Sequence, residues 1–257
     1  MDWHNPVIYE QPTNELMRLC LRYERLRNHV EHYLPGEHRY DSRAALNALL
    51  EIVTITDRSD LKSSLAKELS RHRANLSRLQ QMPNVDHPFL NKILDDLDSH
   101  QHQLNTMTGK FTHVLRENDF LNSVRVQLAN PGGACAINNP ALNFWLQQKP
   151  MMRHTQLKAW LKEIDHLHAL VHFLLQLVRD SNIPKLEKAN QGFFETALDP
   201  KHPIQMMRIQ LPEASDVYPE ISIGKHRMCI RFLQTGFTER AQQINFDVGF
   251  KLTCCII

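Results

Sequence analysis

The side chains best suited to chemistry fall into three groups. His168 and His172 stand four apart, the spacing that sets two imidazoles on one helix face for a metal, and His166 lies beside them. Arg18, Arg22 and Arg25 occur at i, i+4 and i+7 and so share one face of a helix, while Arg227 and Arg231, four apart in a strand, leave the same side with Cys229 between them. Lys225 and His226 precede that pair. The third group is the stretch LANPGGACAINNPALNFW at 128–145, which places two glycines and Cys135 between prolines.

Each group admits a narrower reading. No HExxH and no completing carboxylate or cysteine accompanies the histidines, so a metal-dependent enzyme built on His166–His172 stands as the alternative to a binding protein. The glycines match neither GxxxxGK[ST] nor GxGxxG. A helix that runs out at Ala129 meets Pro131, and a new one opens with Asn139 as cap and Pro140 in its first turn, so the stretch reads as a bend with Cys135 a small packed thiol. Asp95, Asp96 and Asp98 lie opposite Ile93, Leu94 and Leu97, a solvated acidic edge. No Ser, His and Asp arrangement is visible in the linear order. For the arginines, a solvated face and a groove for an acidic peptide are both open, since planar guanidiniums grip carboxylates bidentately. Arg179, at a helix end, reads as a plain surface charge away from that groove. The expectation is a protein without catalytic residues, metal or cofactor.

Around these groups, 257 residues with 42% hydrophobic and 23% charged side chains make an ordinary globular chain, and only 8 glycines favour helices over turn-rich sheets. Thirty basic against 28 acidic residues exclude the global field of a nucleic-acid binder. Five cysteines without CxxC spacing point to a reducing cytosol, and the start MDWHNPVIYEQ has no export pattern. The apolar run at Leu170–Val178 is interrupted by His172 and Gln176 and too short to insert in a membrane. The ending CCII could serve as a prenylation box, but a strand tail explains it better.

Apolar residues recur at three and four positions through Leu16, Leu19, Cys20, Tyr23, Leu26, Val30 and Tyr33, predicting a helix after Asn14 that Pro35-Gly36 stops. The same period predicts helices over 43–55 and 59–80. It predicts another after Asp86 carrying Phe89, Ile93, Leu97 and Leu104, one around Phe120–Leu128, and two between Arg153 and Arg179 broken near Asp165. After Pro184 the period becomes two, at Met207, Ile209 and Leu211, at Met228, Ile230 and Phe232, and without a break from Ile244 to Leu252. The predicted class is α+β. A helix bundle over 15–184 is joined to a smaller antiparallel β-domain made from 1–14 and 185–257. Val7–Glu10 should pair with the C-terminal sheet, because no other strands are available to satisfy its backbone.

Five long stretches, VIYEQPTNELMRLCLRYE, LRENDFLNSVRVQLANPGG, PGGACAINNPALNFWL, YPEISIGKHRMCIRFL and INFDVGFKLTCC, together resemble the ZapD family, the Z-ring-associated bacterial division factors. The resemblance covers nearly the whole chain. It implies a cytoplasmic homodimer at midcell that binds the C-terminal tail of the tubulin-like division protein FtsZ and, by holding two tails, crosslinks and bundles filaments to stabilise the Z ring. It implies neither catalysis nor nucleic-acid binding. Residue by residue, the family's basic tail-binding positions match Arg58, Arg227 and Arg231, with Arg22 at a further basic position around the pocket. Two positions depart: Asp119 and Asn143 stand where a relative has a basic residue and a histidine, which lowers the pocket's charge.

Overall fold

The computed structural model describes residues 3–58, 60–128, 139–199, 203–213, 215–236, 238 and 240–256. The bend at Pro131 and Cys135 lies outside them. The chain divides into two compact units, residues 1–18 with 175–257, and residues 19–174.

In the first unit, β1 (Val7–Pro12) pairs antiparallel with β4 (Met206–Leu211), Val7 opposite Leu211 and Glu10 opposite Arg208. β8 (Val248–Cys255) and β2 (Lys185–Ala189) complete a sheet of order β1-β4-β8-β2. A second sheet has β6 (Arg227–Gln234) between β3 (Phe193–Ala197) and β5 (Tyr218–Ile223), with the short β7 (Gln242–Gln243) beside the end of β6. The inward alternates of both sheets, Met207, Ile209, Leu211, Met228, Ile230, Phe232, Phe250 and Leu252, form one core. There Phe250 packs 5.1 Å from Phe232 and edge-on to Phe194 at 5.2 Å, measured between ring centroids. The N-terminal strand therefore belongs to the C-terminal sheet, as its unpaired backbone required.

The alternation from Ile244 to Leu252 is broken, contrary to expectation. Ile244 stays in the core and donates its N–H to Phe232 O at 3.2 Å, but the chain bends at Asn245–Phe246, leaving Phe246 exposed, and β8 begins only at Val248. Asp247 fixes the corner by accepting from Gln191 N at 3.0 Å and pairing with Lys188 at 2.7 Å. Those contacts reach the tight turn that carries the chain from β2 in the first sheet to β3 in the second. Gln191 and Gly192 both take positive φ (48° and 72°) and Phe193 N donates to Asn190 O at 2.9 Å, the two-residue geometry that matches strand twist.

Nine α-helices are described. α1 (Glu15–Tyr33) starts at Asn14, whose side chain accepts from Met17 N at 2.8 Å. α2 (Arg39–Thr56) begins earlier than its apolar stripe, because His38 and Asp41 form a reciprocal capping box. α3 (Leu61–Ser77) tightens into a 3₁₀ turn over Arg78–Gln81. Asp86 caps α4 (His87–Thr106) as predicted, yet its buried stripe is Leu90, Leu94, Leu97 and Leu104, and Phe89 is exposed. Phe89 falls in the first turn, about 100° of helix rotation from Leu90, and Leu90 takes the inward place. The five-residue α5 (His113–Glu117), too short to show a period, precedes α6 (Asp119–Leu128). α7 (Pro140–Leu146), capped by Asn139, is followed by α8 (Pro150–Lys162) and α9 (Asp165–Arg179).

Two polar anchors hold the helical unit. Arg153, 3% exposed, donates to Ser42 Oγ at 2.9 Å, to Glu37 O at 2.6 Å and to Gln148 O, tying α8 to the start of α2 and the end of α7. On α3, Glu68 takes Arg71 through both oxygens and lies 2.9 Å from Nε2 of the fully buried His72, an ion-pair distance without hydrogen-bond alignment. Burial pushes the Glu68 carboxyl up, but His72 and Arg71 outweigh it and hold it at about 2. No described helix is long and apolar enough to cross a membrane.

Candidate functional site

Strand alternation sends Met228, Ile230 and Phe232 of β6 into the sandwich and leaves Arg227, Cys229 and Arg231 on its outer face. The flanking strands set the neighbours. Across the sheet, Phe193, Arg231 and Glu220 form one row, and Glu195, Cys229 and Ser222 the next. Arg231 Nη2 lies 2.6 Å from Glu220 Oε2, and Arg227 Nη1 donates to Glu195 Oε1 at 3.3 Å. Cys229 Sγ is 3.5 Å from the other Glu195 oxygen, and its slight burial and that carboxylate hold the thiol above its ordinary range. Both guanidiniums are open to solvent, with side chains 71% exposed at Arg227 and 54% at Arg231. The face thus offers two self-paired arginine forks beside an exposed phenyl ring, with two cations balanced by two carboxylates.

Arg22 and Arg58 belong to the helical unit. Arg22 is exposed on α1 and, with Arg25 and His29, lines an open groove of about 570 Å³ between α1 and α2, floored by Leu26, Ala48 and Ile55. Arg18, on the same helical face, pairs with Glu15 at 2.8 Å. Arg58 stands in the α2–α3 connection, with Asp60 at 3.3 Å. Next to it Asp57 accepts from Lys110 at 2.8 Å and from Arg116, and Lys110 foremost holds its carboxyl below the usual range. Asp119 opens α6 and Asn143 lies on α7, both exposed.

The histidines of α9 do not converge on a common point. The rings of His168 and His172 are 6.1 Å apart and tilted, His168 leans toward Tyr23, and His166 lines a separate cavity with His100. Burial, then Arg27, pushes His168 below its usual value. Among the described residues no three His, Cys, Asp or Glu side chains are grouped to hold a metal ion.

Arg179 departs from its reading as a plain surface charge. It grips Glu10 of β1 with two hydrogen bonds of 2.8 Å, and Arg208 Nε lies 2.9 Å from the same carboxylate. All three side chains are less than a fifth exposed. Sequence reasoning also missed Phe193, Glu195 and Glu220. The turn residues Asn190-Gln191-Gly192 ahead of FFETA were a usable turn signal for the start of β3, but no linear pattern states which residues oppose Arg231.

A helical unit and an antiparallel β-sandwich with an arginine-bearing open face define an α+β protein of two compact units. The family model described as ZapD, cell division protein, matches residues 21–231. A cell division protein ZapD of Coxiella burnetii is 39% identical over 253 residues, 98% of each chain. Those of Methylococcus capsulatus (34%; 98% of this chain, 99% of the relative) and Aromatoleum aromaticum (32%; 97% and 98%) are similar at the same scale. The chain belongs to the ZapD family of cell division proteins.

Proposed function

We propose that this cell division protein is a homodimeric crosslinker that binds the C-terminal tail of FtsZ and bundles its filaments at midcell in the cytoplasm, without catalysis. The residues assigned to tail contact are those that the family resemblance marks, Arg22, Arg58, Arg227 and Arg231. The observation that carries the reading is the outer face of β6. Two guanidiniums leave one side of a rigid strand with Phe193 in the same row, which suits a short peptide mixing carboxylates with apolar residues. Asp119 and Asn143 add no positive charge, so the arginines dominate. A two-fold dimer supplies the two heads that crosslinking needs.

The test is titration of a labelled FtsZ tail peptide. Arg231→Glu should weaken binding about tenfold, or roughly 1.4 kcal/mol. The loss is modest because the side chain is half exposed and such pairs are screened. Lys92→Glu, an exposed change on α4, should bind normally. Light scattering should give about twice the 30.0 kDa chain mass. A folded Arg231→Glu variant that binds tail and bundles filaments like wild type would remove the strand face as the site.

A further inference from the structure

We propose that Glu195 and Glu220 are stand-in carboxylates that occupy the two arginine forks until a ligand displaces them, and so set the affinity and salt response of the tail site. The inference rests on the tail-binding reading above. Its basis is the sheet register. Glu220 lies directly across from Arg231 and reaches it at 2.6 Å, and Glu195, directly across from Cys229 on the opposite side of β6, reaches diagonally to Arg227 at 3.3 Å. Both acids stand on flanking strands, on the face that an approaching peptide must cover. A ligand carboxylate entering either fork meets an acid of the protein already there.

Two consequences follow from this arrangement. Exchange replaces one charge-assisted contact by another, so the net gain per arginine is small and the site discriminates against a ligand offering a single carboxylate. The guanidiniums, held across the strand rather than free to turn, are also oriented before the ligand arrives, which lessens the ordering cost of binding. The face carries no net charge in the free protein, so long-range attraction of an acidic peptide is weak.

Glu220→Gln and Glu195→Gln keep shape while removing the competing charge. With the same labelled FtsZ tail peptide, each should tighten binding about two- to fivefold, the worth of an exposed ion pair, and the double variant by more. The double variant should also lose affinity more steeply between roughly 50 and 300 mM NaCl, because its face is then positive. A fold effect alone would not steepen the salt response. If Arg231→Ala weakens binding while both Gln variants bind as wild type or more weakly, with an unchanged salt slope, the stand-in role is overturned and tail binding is kept. If Arg231→Ala binds as tightly as wild type, the tail reading itself falls and the stand-in role falls with it.

Discussion

Replacing Glu68 by Gln should expose a pH-dependent share of the helical unit's stability. The carboxyl lies at about 2 in the folded chain against an ordinary 4.5, because Arg71 and the buried His72 overcome the burial that pushes it up. A depressed carboxyl contributes stability that is full above its unfolded value and disappears as pH falls through the folded one. The shift corresponds to about 3 kcal/mol at pH 7, of which about 2 kcal/mol is gone by pH 3. Glu68 is only 14% exposed, so solvent screens little of this. Gln has nearly the same shape and removes the charge alone. Urea unfolding followed by circular dichroism should therefore find the variant about 3 kcal/mol less stable at pH 7 and about 1 kcal/mol less stable at pH 3. Equal differences at the two pH values would refute the reasoning, since they would mean that Glu68 stabilises by packing and not by its charge.

Arg153→Met removes donors from Ser42, Glu37 and Gln148 and should cost about 2–4 kcal/mol, read as a lower urea midpoint of the helical signal. A midpoint within error of wild type would contradict the anchoring role. Arg179→Glu sets two carboxylates together beneath β1 and should cost about 2–3 kcal/mol, with hydrogen exchange of Val7–Pro12 accelerated first. Unchanged exchange there would show that the ion triad does not hold the strand. In Gly192→Ala the new Cβ would lie 2.6 Å from Ile244 Cγ1 and 2.8 Å from Ile244 O at a φ of +72°. A loss of about 2 kcal/mol or more is expected, and full thermal stability would show that the corner can relax.

Local rules reach far into this chain. Asn14, Asp86 and Asn139 cap their helices as their positions foretold, since a cap is satisfied within three residues of itself. The period change after Pro184 located the core strands β4 and β6, and backbone satisfaction alone placed β1 among the C-terminal strands. The single face shared by Arg227 and Arg231 follows from the pleat, a property of any strand. What opposes those arginines does not. Glu220 and Glu195 meet them only through the pairings of β5 and β3 with β6, contacts between residues 11 and 32 positions apart. The same holds for Arg179, bound to an acid 169 residues away, and for Arg153, whose partners begin 116 residues upstream. A charge that looks alike in every window of sequence becomes a solvated fork, a strand clamp or a buried anchor according to which distant element packs beside it. That choice is made by burial of the apolar faces, and the charged side chains take the partners that this burial brings to them.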